Sequence, residues 1–509
     1  MTPPIVIVGA GPVGLSVALG LARSGVKSTV IKRKAELDPH SRATVILPRT
    51  LEIFAQWGVL PAFLTHGNRV PHVRLRLAPD GEQIFHFDFT ELTYVTATPF
   101  AVAISQDQTE RFLLDEVLAT GLVDVSFGTE VLGFEEHASG VSLNVRGPHG
   151  ERQIEARYLV GADGAHSVVR QGLGLALEGK TYPTRALLAD VRAPPEKDQS
   201  EFWPALLNER GLVVGIRFGG GVFRIVDDAM AEGVDEHNLD SYIARLTRRL
   251  FGAPASETVW KSIYNKHERS VSRFRIGRVL LVGDAAHLNS PAGGQGMNSG
   301  IQDAHNLAWK LAAAVTRDDA DVDVLLQSYA QERWSYVDRK IQPFTDRNER
   351  FESAPAFLRL PLVRLAGKLP GFDRLGSAMA RRLSMLDVKY NESALLRVDH
   401  RHVGRRLPDV IRPDGTRLLE GLQGGAVVCS GPDVRARRLA ESLKVPLLDG
   451  DLAQLARFFR RERFVAVIRP DQIVGWIDNP DSIDTRTCQA AMGLRSELAD
   501  GRGASARPI

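Results

Sequence analysis

Residues 5–23 read IVIVGAGPVGLSVALGLAR. A short apolar run, residues 5–8, suits a strand buried on both faces of a parallel sheet. It enters Gly9, Gly11 and Gly14 at G-x-G-x-x-G spacing, with Pro12 inside the motif, and residues 16–23 continue as a helix. Each glycine has a job: a tight turn at Gly9, close approach of a pyrophosphate at Gly11, and close helix–strand packing at Gly14. The helix N-terminus adds N–H donors and a partial positive charge for the phosphates. Strand, motif and helix in that order, at the start of the chain, predict a doubly wound α/β domain that binds a dinucleotide.

A second strand follows at residues 28–31. Such folds usually end it with an acidic residue that bonds the adenosine ribose. Here Lys32 stands in that place, followed by Arg33 and Lys34. Two readings stay open: a lysine reaching toward phosphate, or a solvated strand end with the ribose bonded through water. Arg42 is a candidate pyrophosphate contact, since a guanidinium fork suits phosphate oxygens, and a surface arginine is the plain alternative. Alternating runs at 73–77 and 85–89 predict a hairpin turning at Pro79-Asp80-Gly81. Gln106 precedes a helix expected over 109–118, capped by Thr109 or Asp107.

Two later segments repeat the strand–glycine–acid pattern. Residues 158–170, YLVGADGAHSVVR, carry Asp163-Gly164, and Asp163 alone also fits a turn or a helix cap. Residues 283–311, GDAAHLNSPAGGQGMNSGIQDAHNLAWKL, follow the apolar run 278–282. This stretch holds Asp284 and five glycines, Gly283, Gly293, Gly294, Gly296 and Gly300. Each glycine costs folding entropy, so the cluster predicts a flat ligand lying against bare backbone. Between these segments, residues 181–269 read as an inserted antiparallel sheet with one helix at 239–250. Past residue 391 the pattern changes to a small separate α/β domain, and residues 499–509 read as a disordered tail.

Composition sets limits. The 509 residues carry 64 basic and 61 acidic side chains, a net charge of +3. That near balance argues against nucleic acid or a membrane surface as the main partner. The two cysteines, Cys429 and Cys488, have no dithiol or zinc spacing, so a reducing, cytoplasmic setting is expected. No apolar run approaches the ~18 residues of a membrane span. The apolar N-terminus lacks the basic stretch of a signal peptide. His287 near Asp284 has no partner at ligand spacing, so no metal is expected.

Taken together, residues 9–14, 158–170 and 283–298 resemble the class A flavoprotein monooxygenases. These are the single-component FAD-dependent aromatic hydroxylases with the p-hydroxybenzoate hydroxylase fold. The resemblance covers about residues 4–345, and the tail is similar to the thioredoxin-like domain of the phenol hydroxylase and polyketide hydroxylase branch. It implies a Rossmann-like FAD-binding domain over 1–180 and 270–345, with a small strand insertion near 70–105. A substrate sheet at 181–269, a helical connector at 346–395 and a thioredoxin-like domain at 396–498 complete the expected organisation. It also implies NAD(P)H as co-substrate, O₂ as oxidant, and an aromatic ring hydroxylated by a flavin C4a-hydroperoxide. Gly9, Gly11, Pro12 and Gly14 would cradle the FAD pyrophosphate, with Lys32, Arg33 and Arg42 nearby. Gln106 and Asp284 would reach the ribityl side, and Asp163 would tie the sheet to the cofactor loop. Pro291, Gly293, Gly294, Gly296, Met297 and Asn298 would line the isoalloxazine ring. No general base transfers, because Thr44 stands where the phenol hydroxylase branch places an Asp. Thr44, Phe202, Trp203, Ile216, Arg217 and Phe218 are candidate substrate contacts, and His267, Tyr264 and Arg217 are candidate bases by position alone. A monomer or homodimer is expected. Another flavoprotein of this fold, a reductase or epoxidase, or a non-catalytic relative, remains an alternative.

Overall fold

The computed structural model describes residues 5–37, 45–77, 82–192, 202–218, 221–290, 294–368, 372–412, 415–419, 422, 424–450 and 452–495. Arg42, Thr44, Pro291, Gly293 and the 499–509 tail lie outside them, as do the side chains of Phe202 and Trp203.

The strand Ile5–Val8, buried at every residue, is central in a six-stranded sheet. Ser28–Ile31 and Tyr158–Gly161 flank it in parallel register. Val123–Ser126 and Val279–Leu281 extend the parallel set outward, and Arg275–Ile276 closes one edge antiparallel. The continuous apolar runs make sense here, since a parallel sheet covered on both faces has no solvent side. The helix Pro12–Arg23 starts at Gly11 with proline in its first turn, where a missing N–H costs nothing. It packs on the long helix Gln295–Thr316, and both belong to the main hydrophobic core.

A second sheet of eight strands stands beside the first. Its centre is the expected antiparallel insert: Glu178–Arg192, Glu257–Ser270, Val222–Asp227, Leu212–Arg217 and Phe202–Leu207. The hairpin His72–Leu77 and Glu82–Asp88 corrects the sequence-based division. Its first strand pairs in parallel with Phe202–Leu207, so the hairpin extends the insert's sheet rather than forming a separate feature of the nucleotide-binding domain. At the other edge, His287–Leu288 pairs with Glu257–Ser270. Residues 283–311 therefore touch both sheets: they leave the parallel sheet at Leu281 and pair with the second one six residues later.

The helices Val322–Tyr336, Gln342–Glu352, Ala356–Ala366 and Phe372–Leu383 lead to the C-terminal region. There the strands lie in the order Leu447–Asp449, Ala426–Cys429, Val465–Ile468, Val474–Asp478. The first pair is parallel and the others are antiparallel. Helices Val434–Leu443 and Ala453–Phe459 separate the first three strands along the chain, and Thr485–Ala491 follows the last. No helix among the described residues is long and apolar enough to cross a membrane.

Candidate active site

The carboxyl ends of the parallel strands converge, which is where open α/β sheets place their ligands. Backbone bonds align them: Gly9 N–H donates to Ile31 O, Ala162 N–H to Val8 O, and Val282 N–H to Gly161 O. At this edge the three motif glycines divide as expected. Gly9 has φ +112°, and a Cβ there would lie 2.3 Å from Ala162 O. A Cβ on Gly14 would lie 1.9 Å from Gly9 O. Gly11 is different: nothing comes within 4 Å of the position its Cβ would take. The open space at the helix N-terminus is the room a pyrophosphate requires.

Lys32 is not a solvated strand end. Its side chain is only 12% exposed and its Nζ lies 3.9 Å from Glu110 Oε2, itself buried. Gln106 Nε2 donates to Glu110 Oε1 at 2.8 Å. The helix carrying both begins at Gln106, with Ser105 as N-cap, three residues earlier than the sequence predicts. Thr109 is therefore inside the helix, donating back to Ser105 O. Thus a buried acid, Glu110, stands beside Lys32 from another element. The adjacent Arg33 is exposed, 3.9 Å from Glu130.

Asp163 is a helix cap. One oxygen accepts from Ser167 Oγ, and the other accepts from Val168 N–H at 2.7 Å and Val169 N–H at 3.3 Å. Burial raises its pKa against these bonds. The neighbouring Gly164 has φ +79° and open space around it, so this motif presents backbone rather than carboxylate.

In residues 283–311 the glycines are not all ligand glycines. A Cβ on Gly300 would lie 2.5 Å from Val13 Cγ2, and one on Gly283 3.1 Å from the same atom. These two let the long helix and the loop before it close on Pro12–Arg23. Gly296 faces open space, and Gly294, at φ +66°, is the N-cap of the long helix. Asn298 is fully buried, and its amide serves the chain itself: Leu47 N–H donates to Oδ1 at 2.9 Å, while Nδ2 donates to Val45 O and Gly294 O. Asp284 is exposed between the buried Gly283 and Ala285. His287 Nε2 meets Asp303 Oδ2 at 2.8 Å, and Asn289 Nδ2 meets its Nδ1 at 3.1 Å.

The substrate-side candidates separate by sheet face. Ile216 belongs to the core of the nucleotide-binding domain, and Phe218, Val214 and Met297 pack against it. Val213, on the opposite face of the strand, belongs to the other core, with Ile225 and Leu246. Ile216, Phe218 and Met297 thus belong to one core, whereas Arg217 contributes its carbonyl to Asn68 Nδ2. His267 bonds Thr181 Oγ1 at 2.9 Å.

The model of the FAD-binding-domain family matches residues 2–342. A flavin-dependent monooxygenase of Mycobacteroides abscessus is 32% identical over 82% of this chain and 86% of its own. The chain belongs to the FAD-dependent aromatic monooxygenases. An uncharacterized aromatic compound monooxygenase of Bacillus subtilis is 31% identical over 92% of this monooxygenase and 93% of its own chain. The solved anhydrotetracycline hydroxylase of Streptomyces rimosus, 28% identical, superposes with a TM-score of 0.76 over 97% of this chain and 99% of its own.

The residues present fit FAD: an open Gly11 at a helix N-terminus, open Gly164 and Gly296, and an exposed Asp284 between buried neighbours. The monooxygenase also holds a buried ionic cluster that sequence reasoning missed. Lys266 Nζ donates to Glu349 Oε2 at 2.5 Å and lies 3.9 Å from Asp228 Oδ1. Ser290, at the end of the described stretch 221–290, donates to Glu349 Oε1 at 2.9 Å. Burial, and then the Asp228 carboxylate beside it, raises the pKa of Glu352. The four groups come from within the strand Glu257–Ser270, from the residue after Val222–Asp227 and from the helix Gln342–Glu352, up to 124 residues apart, so no spacing in the sequence announces them. Glu110 was the findable one, a helical turn after Gln106.

Proposed function

We propose that this monooxygenase uses NAD(P)H and O₂ to place one hydroxyl on a phenolic or polycyclic aromatic compound. The open space at Gly11, at the head of Pro12–Arg23, carries the cofactor part of this reading. The substrate class rests on the relatives, whose names specify an aromatic compound and a tetracycline precursor. Bound FAD supplies electron storage and oxygen activation, and the chain supplies position and electrostatics.

In this reading Gly9, Gly11, Pro12 and Gly14 hold the pyrophosphate by backbone N–H groups. Lys32, Glu110 and Gln106 form the polar wall at the adenosine side. Gly164 gives the cofactor a bare backbone, with Asp163 fixing its turn. Asp284 points to the ribityl side. The N–H groups at the start of Gln295–Thr316 stabilise negative charge on the reduced ring. Ile216, Phe218 and Met297 form an apolar wall that excludes water from the reacting atoms. Residues 396–498 are read as thioredoxin-like, supported by the strand order and by the helices between the strands. Cys429 at the end of the first strand is buried, with Pro432 where a dithiol would need its second cysteine. The domain is therefore given no redox role.

The test is a panel of phenols, hydroxybenzoates and polycyclic quinones, screened with the FAD-loaded enzyme for stimulated NAD(P)H consumption, with product analysis. A product one oxygen atom heavier is expected. Bound flavin with no aromatic compound converted would overturn the assignment.

A further inference from the structure

Six charged side chains, all essentially sealed from solvent, join the C-terminal domain to the flavin loop. Arg469, at the turn after Val465–Ile468, makes a fork on Glu332: Nη1 to Oε1 at 2.6 Å and Nη2 to Oε2 at 2.8 Å. Its Nε donates to Asp471 Oδ1 at 3.0 Å. Lys310 and Asn306, on the long helix, both reach Glu332 Oε2, at 2.8 and 2.7 Å. Arg333, the residue after Glu332 on the helix Val322–Tyr336, turns the other way. Its Nε donates to Asp303 Oδ1 at 2.6 Å, and its Nη2 reaches Ser299 O at 3.2 Å. Asp303 Oδ2 then accepts Gly283 N–H at 2.9 Å and faces His287 Nε2. Tyr329, one turn back, donates to Leu281 O at 2.6 Å.

Arg333, Arg469 and Lys310 balance Asp303, Glu332 and Asp471. Despite burial, which opposes ionisation, the facing guanidiniums hold the Asp303 and Glu332 carboxyls below the usual range. Apolar packing of equal volume would stabilise the chain at least as well as a buried ion network. What the network adds is direction. One end is a turn of the C-terminal domain; the other is the amide of Gly283, whose φ of +57° sets where Asp284 points.

We propose that the C-terminal domain is a clamp on the flavin loop. Arg469 fixes Glu332, and through that helix Arg333 and Asp303 fix the Gly283 backbone and the aim of Asp284. Arg469, Arg333 and Asp303 are positioning residues. This rests on reading Asp284 as a flavin contact. It gives a small domain without a dithiol a function in the oxygenase reaction.

The experiment titrates the full-length apoprotein with FAD and records the absorption spectrum and reduction potential of the bound flavin. Arg469→Met and Asp303→Asn are each expected to weaken FAD binding about tenfold and to shift the spectrum. Arg469→Lys, which keeps the charge but loses the fork, is expected to lie between, at about threefold, and carries the test should Arg469→Met not fold. Leu439→Ala, in the far core of the same domain, serves as control: it lowers the melting temperature and leaves the FAD dissociation constant unchanged. Arg469 variants that bind FAD with wild-type affinity and spectrum would overturn the clamp. So would a Leu439→Ala protein with the same flavin changes. Asp284→Asn separates the premise: if it leaves FAD binding intact, the reading of Asp284 fails. If it weakens FAD while the Arg469 variants do not, the clamp alone fails.

Discussion

Gly11 and Gly14 lie three residues apart in one motif, yet alanine at each is expected to produce opposite phenotypes. A Cβ on Gly14 falls 1.9 Å from Gly9 O, about 1.5 Å short of ordinary contact, and the obstacle is backbone rather than a flexible side chain. The helix Pro12–Arg23 must move off the strand Ile5–Val8, and overpacking of this kind costs about 1–3 kcal/mol or more. Gly14→Ala is thus expected to lower the melting temperature of the apoprotein. At Gly11 the backbone has φ −80° and ψ 179°, open to any residue, and nothing lies within 4 Å. Gly11→Ala should leave the apoprotein as stable as wild type, or firmer by about 0.4–1 kcal/mol through a stiffer unfolded chain. Its methyl group occupies the phosphate's room. Losing one charge-assisted bond there is worth about 1.5–3 kcal/mol, which converts to a roughly 10- to 150-fold weaker FAD complex. Thermal melts of the two apoproteins and fluorescence titration with FAD decide it. A Gly11→Ala protein that binds FAD like wild type, or that melts as early as Gly14→Ala, refutes the division of roles.

Three further outcomes follow from the same geometry. Lys32→Met leaves Glu110 buried beside an apolar chain and should cost about 1–3 kcal/mol, most of it recovered when Glu110→Gln is added; additive effects in denaturant melts would show that the two side chains do not act together. Because burial raises the Glu352 pKa above its unfolded 4.5, the folded state keeps a proton that the unfolded chain releases. Stability therefore falls as pH rises from 4.5 to the raised value and is level beyond it. Glu352→Gln should lose that slope, and melting curves of the two proteins that run parallel over this window would contradict it. Burial also raises the Cys429 thiol and pushes Cys488 to about 12. Neither is expected to react with an aromatic disulfide reagent before unfolding, and rapid labelling of the native enzyme would reopen a redox role for the C-terminal domain.

The cofactor half of the site was legible because its constraints are local. Gly9, Gly11 and Gly14 act within one turn, and their spacing carries the geometry with it. The same logic overreached at residues 283–300, where five glycines suggested a single cause. Gly283 and Gly300 are instead required by Val13, almost three hundred residues away, and only packing reveals that. Lys32 shows the converse. The sequence left open a lysine reaching phosphate or a solvated strand end, and the buried partner Glu110 lies on another element. Asp303 drew no reading from the sequence, because its partners Arg333 and Gly283 lie on other elements.

The substrate half resists reading for a different reason. In Leu212–Arg217 the residues alternate between two buried faces: Val213 enters one core, while Val214 and Ile216 enter the other. Periodicity distinguishes an apolar face from a wet one, but here both faces are apolar, so the alternation loses its information. Ile216 and Phe218 fall in the same core as Met297, the core that the long helix Gln295–Thr316 also enters, and the proposed apolar wall rests on that shared core. Nor does a lone catalytic base mark the pocket. Glu349, Lys266, Asp228 and Glu352 cluster together, and among the described residues Ser290 links Glu349 to the loop. On the proposed reading, the apolar wall of Ile216, Phe218 and Met297 draws on the second sheet and on the long helix, and it exists only once the two are packed together.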